Sequence, residues 1–273
     1  MSDEKYLKIA YKITIGKELN LTNPTTFNEK LQWLKLYDRN PLYTKLVDKY
    51  EVKEYVKEKI GEAYIIPTLG VWDSFDEIDF DALPAQFVLK CTHDSGGLII
   101  CKDKSTFDKA AARRKINRCL RHNFYWGQRE WPYKNVKPRI IAEAYMEDKQ
   151  LHELRDYKFF CFDGKVRCFK IDFDRFVKHR ANYYDPDGVL LPFGEKRYMF
   201  DPNVTLEMPG DLKKMIEIAE NLAKGLRFVR VDLYYIDSRV YFGEITFYPA
   251  SGMGRFEPAE WDSILGSWIK LQK

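Results

Sequence analysis

Apolar positions recur at helical spacing over the first sixty residues. Behind Pro24, Thr26 and Glu29 have the spacing of a capping box, in which each side chain answers a free backbone N–H of the first turn. Phe27, Leu31, Leu34 and Tyr37 then share one face. A second such pair, Asp48 and Glu51, opens "DKYEVKEYVKEKIG", which Gly61 is placed to terminate. Beyond it the period shortens to that of strands. "YIIPTLGVW" reads as a strand, and "QFVLKCTHDSGGLIICKD" as a hairpin turning at Gly96-Gly97. "FDKAAARRKINRCLRHNFYW" is a basic helix, and "PRIIAEAYME" is an apolar strand ending in acids. "RDYKFFCFDGKVRCFKIDF" is a hairpin turning at Asp163-Gly164, and "ANYYDPDGVLLPF" is a further ribbon turning near Asp187-Gly188. "GDLKKMIEIAENLAKGL" is an amphipathic helix with Met215, Ile218, Ala219 and Leu222 inward. "RFVRVDLYYIDSRVYFGEITFYP" is the last hairpin, and "EPAEWDSILGSWIKL" a short closing helix. Strands joined as hairpins give antiparallel sheets, so the fold class is α+β rather than doubly wound α/β.

Composition narrows this little. With 273 residues, 45% of them apolar, the chain is long enough to bury a core without disulfides. No run approaches the roughly 18 apolar residues of a membrane span. The start "MSDEKYLKIAYK" does not read as a signal peptide. Five cysteines without CxxC spacing read as reduced, packed thiols of a cytoplasmic protein, and four scattered histidines give no zinc spacing. The net charge of +4 suits anionic ligands but is too mild to argue for nucleic acid.

Three constellations carry candidate chemistry. Lys90 precedes "THDSGG", a loop whose glycines let backbone N–H groups approach a polyphosphate. It joins two strands and is not a Walker loop; a plain hairpin turn is the bland alternative. In the last hairpin Arg230, Asp232 and Tyr234 share one face, while Val229, Val231 and Leu233 share the other. Glu244 and Thr246 lie on the return strand. A two-residue turn at Asp237-Ser238 with an unbroken ladder puts Glu244 on the wrong face. A three-residue loop or an equivalent bulge brings it opposite Asp232, where two acids suit Mg²⁺. The alternative is a surface salt-bridge ladder with Arg230. The third constellation, "IIAEAYMED", has the look of a hinge whose backbone reads an adenine edge, or of a plain buried strand end.

Taken together, "NPTTFNEKLQWLKLYDRNPLYTKLVDKYEVKEYV", "FVLKCTHDSGG", "DYKFFCFDGKV" and "FVRVDLY…YFGEITFYPASG" resemble the TupA-like branch of the ATP-grasp enzymes. That branch is named for teichuronopeptide biosynthesis, and its members often carry the label "glycosyltransferase". The resemblance implies an ATP-grasp fold: a helical N-terminal segment (1–61), then a small subdomain with the Gly-rich flap (62–142) and a large one with the metal site (143–273). Two antiparallel sheets would clasp the nucleotide. It further implies that Lys49 and Lys90 contact the ATP phosphates and that Ser95, Gly96 and Gly97 form the flap. Glu143, Tyr145 and Met146 would hold the adenine, and Asp156 stands where a ribose-binding acid is common. Arg230 would stabilise the transferring phosphoryl group, and Asp232 and Glu244 would hold Mg²⁺. Thr246 stands where the superfamily usually has a ligating Asn, and a hydroxyl is the weaker ligand.

The implied activity is carboxylate–amine ligation through an acyl phosphate, on a uronic acid or amino acid component of a bacterial surface polysaccharide. The partners would be small-molecule or sugar-linked carboxylates and amines, with no nucleic acid and no membrane insertion. Arg129, Lys134 and Lys137, among the aromatics of "RHNFYWGQREWPYKNVKPR", are candidates for an acceptor cleft or for a surface loop. A phosphotransferase on the same scaffold would use identical nucleotide residues. A nucleic-acid reading rests on the basic helix Lys109–Arg121, followed by Phe124, Tyr125 and Trp126. No Asp-x-Asp motif in a nucleotide-sugar setting supports a sugar-nucleotide glycosyltransferase.

Overall fold

The computed structural model describes residues 1–148, 155–174 and 178–271. In chain order the helices are α1 (Asp3–Ile15), α2 (Phe27–Tyr37), α3 (Leu42–Val47), α4 (Val52–Ile60), α5 (Lys109–Leu120), α6 (Tyr125–Gln128), α7 (Leu212–Ala223) and α8 (Trp261–Trp268). The strands are β1 (Thr68–Trp72), β2 (Phe87–Cys91), β3 (Leu98–Cys101), β4 (Ile140–Ala144), β5 (Asp156–Phe162), β6 (Lys165–Phe173), β7 (Arg180–Tyr184), β8 (Gly194–Glu195), β9 (Phe228–Ile236), β10 (Arg239–Thr246) and β11 (Phe256–Glu257). The chain forms two compact units, Met1–Arg39 with Asp148–Lys273, and Asn40–Glu147.

The first unit is built on the antiparallel sheet β10-β9-β5-β6-β7. Tyr157, Phe159, Cys161, Val229, Val231 and Leu233 are buried on one of its faces. Helix α7 packs on the sheet with Met215, Ile218, Ala219 and Leu222 buried, as their spacing predicts. The other face changes character along the strands. At one end Phe160, Phe162 and Phe228 are buried; Phe27 of α2 meets Phe228 edge-on at 5.0 Å and Phe162 at 6.2 Å. At the other end the same face carries charge. The Thr26–Glu29 capping box forms, and Leu31 and Leu34 are buried. Tyr37 differs from expectation: it is 54% exposed and lies against Trp33.

The second unit carries the sheet β1-β4-β2-β3, also antiparallel. Phe87, Leu89, Cys91, Cys101, Ile140 and Ala142 pack on Ala112 and Ile116 of α5. The register puts Val88, Lys90, Leu98, Ile100, Ile141 and Glu143 on the opposite face.

Three further sequence expectations come out differently. The helical stretch 1–61 is not one segment, because α1 and α2 belong to the first unit and α3 and α4 to the second, with the unit boundaries at 39 and 147 rather than 61 and 142. The reason is packing: α2 binds partners more than 200 residues away, such as Asn28 Nδ2 to Gly254 O (2.7 Å) and Lys30 Nζ to Gly266 O (2.8 Å). The Asp48–Glu51 box forms by half, with the Glu51 carboxylate turned to Arg139. Asp48 Oδ1 accepts from Tyr50 N and Glu51 N, and Arg139 draws both acids to itself at 2.9 and 2.7 Å. The ribbon after β7 keeps its turn, with Gly188 at φ +83°, but its return arm pairs through the single bridge Tyr184–Leu190. Pro192, which has no N–H to donate, follows closely.

Candidate active site

In the first unit the site grows from the β9–β10 hairpin. Its turn has two residues, Asp237 and Ser238, both at positive φ, so an unbroken ladder would set Gly243 against Asp232. The ladder breaks between Phe242 and Glu244 instead, and Glu244 lands opposite Asp232. The bulge residue is Gly243, where a Cβ would sit 2.9 Å from the Asp232 carbonyl oxygen. The bulge keeps Phe242 and Ile245 buried while both acids face the same way.

Arg230 grips Asp232 through two parallel bonds, Nε to Oδ1 at 2.6 Å and NH2 to Oδ2 at 2.7 Å. It reaches Glu244 Oε1 at 3.0 Å and Thr246 Oγ1 at 3.1 Å. The ladder alternative is therefore right about the pairing, but Asp232 is only 2% exposed. The row continues across the sheet, because Asp232 lies opposite Lys158 and Lys158 opposite Lys170. Lys158 Nζ stands 2.7 Å from Asp156, 3.0 Å from Asp172 and 3.5 Å from Asp232. Lys170 pairs with Glu195 at 3.1 Å, and Tyr183 donates to the same Glu195 oxygen. Sequence reading missed Lys158, Lys170, Asp172 and Glu195. Alternating positions on β5 and β6 were the available signal.

Among the described residues, Asp156, Asp172, Glu195, Asp232 and Glu244 are drawn together by Arg230, Lys158 and Lys170. His179 Nε2 also stands 3.1 Å from Asp172, and the acids run from buried Asp232 to exposed Glu244. Burial raises the Asp232 pKa, against the pull of Arg230 and Lys158. Burial works against the Lys158 charge as well, yet Asp232 and Asp156 outweigh it and its pKa rises. Asp232 and Glu244 face each other across the strand pair with the Thr246 hydroxyl beside Glu244, an all-oxygen donor set of the kind Mg²⁺ prefers, so these residues fit Mg²⁺. Asp156 Oδ2 accepts from Lys158 Nζ at 2.7 Å.

In the second unit Lys90 projects from β2 on the face opposite α5. Its ammonium lies 2.6 Å from Glu143 Oε2, and Lys53 of α4 takes Oε1 at 2.5 Å. Glu143 thus sits inside β4, with its carboxylate between two lysines. Burial opposes its charge, but Lys90 and Lys53 prevail and its pKa lies below the ordinary value. Burial lowers the pKa of Lys53. Two cations on one carboxylate leave one positive charge over. Tyr145 and Met146 follow the end of β4, half-buried. Leu98 and Ile100, 43% and 51% exposed, extend the Lys90 face as an apolar platform that sequence reading did not single out.

The Gly-rich loop is rooted firmly and open at its tip. Lys49 N donates to Thr92 O at 3.0 Å, and Lys49 Nζ donates to Asp94 O. Asp94 Oδ1 accepts from Gly97 N at 2.9 Å, while Ser95 and Gly96 are exposed. Lys49, Lys90 and the Ser95–Gly97 tip therefore belong to one unit and one end of its sheet. The basic acceptor candidates are engaged otherwise. Arg129 is buried over the Trp126 and Tyr125 rings, Lys134 lies over Tyr125, and Lys137 pairs with Asp73 at 2.8 Å. Among the described residues no helix is long and apolar enough to cross a membrane.

Several solved structures resemble the chain at low identity. A D-alanine–D-alanine ligase from Bacillus anthracis is 17% identical, with 74% of this chain and 57% of that one covered and a TM-score of 0.41. The D-alanine–D-alanine ligase from Helicobacter pylori is 13% identical, covering 89% and 69%, with a TM-score of 0.44. A phosphoribosylamine–glycine ligase from Thermotoga maritima is 13% identical, covering 77% and 51%, with a TM-score of 0.42. The chain thus spans a little over half the length of the first of these and about half that of the third. No curated protein matches the chain. The model of one protein family, described as TupA-like ATPgrasp, matches residues 29–270, and the chain belongs to that family.

Proposed function

We propose that this protein is an ATP- and Mg²⁺-dependent carboxylate–amine ligase acting on a uronic acid or amino acid component of a bacterial surface polysaccharide, in the cytoplasm. The observation that supports it best is the pair of acids, Asp232 and Glu244, set opposite each other by the Gly243 bulge with Arg230 fixed across both.

The reaction moves the γ-phosphoryl group of ATP to a carboxylate oxygen, releasing ADP and giving an acyl phosphate. An amine then attacks the acyl carbon, loses a proton and expels phosphate to leave an amide. Lys49 and Lys90 neutralise the nucleotide phosphates, and Glu143 with Lys53 holds the Lys90 ammonium in place. The Ser95–Gly96–Gly97 tip offers backbone N–H groups and keeps water from the acyl phosphate. Tyr145 and Met146, with Leu98 and Ile100, receive the adenine. Arg230 takes the charge that develops on the transferred phosphoryl group. Asp232 and Glu244, with Thr246 as the weaker third donor, hold Mg²⁺, which when bound supplies charge neutralisation to the phosphates.

The test is incubation of the purified chain with ATP, Mg²⁺ and a panel of uronic acids, amino acids and amines, read by mass spectrometry. Amide and ADP are expected together, and both fall at least about a hundredfold in Lys90→Ala and Asp232→Asn, a loss of roughly 2.7 kcal/mol in barrier stabilisation. A phosphorylated product formed without any amine makes the enzyme a phosphotransferase. No ATP turnover with any pair, together with no shift in melting temperature by Mg-ATP, removes the reading altogether.

A further inference from the structure

Beneath the Gly-rich loop lies a side-chain group that the ligase reading does not use. Cys91 ends β2, Asp94 lies in the loop, and Cys119 comes from the last turn of α5. The two Sγ atoms and an Asp94 carboxylate oxygen all lie within 4.8 Å of one another. A tetrahedral cation with metal–sulfur bonds near 2.3 Å sets its donors about 3.8 Å apart, so small side-chain rotations suffice to close the triangle. We propose that Cys91, Asp94 and Cys119 form a binding site for a thiophilic divalent d¹⁰ cation, Zn²⁺ or Cd²⁺, with the fourth position left to water.

The surroundings are built to hold this group together. Gly97 is glycine because a Cβ there would come within 2.5 Å of Cys91 Sγ and 3.0 Å of Asp94 Oδ1. Its N–H in turn fixes the Asp94 carboxylate at 2.9 Å. Cys91 and Asp94 are buried, and Cys119 is half-buried, which leaves one edge for entry of the ion. On binding, each thiol gives its proton to solvent as the metal–sulfur bond forms. Two thiolates, one carboxylate and one divalent cation leave a single negative charge. Lys49 and Lys115 act on the two cysteines in the direction that offsets it. Soft sulfur donors select such cations over Mg²⁺. His93, whose Nε2 is shared by the carbonyls of Cys119 and His122, clamps the end of α5 against the loop from the next position.

The site does not depend on the ligase reading, but it bears on it. Asp94 is also the residue whose carbonyl takes the Lys49 ammonium. A cation there ties the root of the Gly-rich loop to β2 and to α5, and so restrains the lysine assigned to the phosphates.

The experiment titrates the full chain, reduced and freed of metal by chelation, with Cd²⁺ alone and then displaces it with Zn²⁺. One equivalent is expected, with the ultraviolet thiolate-to-cadmium charge-transfer band of two Cd–S bonds and release of protons to the buffer. Cys119→Ser should halve the band and weaken affinity at least about tenfold, and Asp94→Asn should weaken affinity about tenfold with the band intact. Absence of a saturable band in the unaltered protein overturns the proposal, as does a band and affinity unchanged in folded Cys119→Ser. If Cys119→Ser does not fold, wild-type affinity in Asp94→Asn overturns it equally. None of these outcomes involves ATP, so failure of this site and failure of the ligase reading are told apart.

Discussion

At the scale of single residues each unit holds its candidate residues as charges fixed by other charges. Glu143 binds Lys53 and Lys90 in the second unit, and its pKa lies below the ordinary carboxylate value. A depressed carboxylate stabilises the fold fully above its unfolded pKa, near 4.5, and loses that contribution as the pH falls through the lower folded value. In urea unfolding, Glu143→Gln should therefore be less stable than the unaltered protein at pH 7, and the gap should close as the pH is taken below 4.5. A gap that stays constant would show that Glu143 is not charged in the fold. Lys158 is the corresponding hub of the first unit, within 3.5 Å of Asp156, Asp172 and Asp232. Lys158→Met takes one cationic partner from each of three buried acids and should cost about 3 kcal/mol at neutral pH, measured in the same way. Lys53 and Lys158 did not stand out in the sequence, though Lys90, Glu143, Asp232 and Glu244 did. A motif shows a residue at its own spacing along the chain. Lys53 and Lys158 acquire their meaning from residues 90 and 74 positions further on.

At the scale of elements, the β9–β10 hairpin shows what alternation along a strand can reveal. The choice between a three-residue loop and a bulge was open in the sequence, and the structure takes the bulge. The slip is written in the strand itself: Val240 and Phe242 are buried two apart, and Ile245 follows three later. The extra residue is the glycine between them. Gly243→Val should cost about 1–3 kcal/mol, because the added Cβ meets the fixed Asp232 carbonyl at 2.9 Å. Its effect on Mg-ATP binding should exceed its effect on melting temperature, since the strain falls on the residue assigned to the metal. Melting curves with and without Mg-ATP measure both quantities. An equal shift in the two curves would mean that the bulge serves packing alone.

At the scale of the whole molecule, sequence order and packing order part company. The helical pattern groups α1 to α4 in one N-terminal segment, and nothing local assigns α2 and α3 to different units. The separation comes from what α2 touches. Phe27 lies among Phe162, Phe228 and Phe256, Asn28 donates to Gly254 O, and Gln32 donates to Gly252 O at 2.7 Å. Lys35 is wholly buried and donates to Ser251 O at 2.8 Å. Residues 1–39 are thus part of the core that residues 148–273 require, whereas residues 40–147 close around α5 and the β1-β4-β2-β3 sheet. Expressed alone, 148–273 leaves Phe228 and Phe162 uncovered and the carbonyls of Ser251 and Gly252 without their α2 donors, so it should remain unfolded or aggregate. Joining 1–39 to 148–273 through a flexible linker should restore a cooperative transition by circular dichroism. The 40–147 fragment should fold without help and keep the Lys53–Glu143–Lys90 group intact. If 148–273 folds by itself, α2 is an accessory to the first unit and the boundary drawn from its packing is wrong.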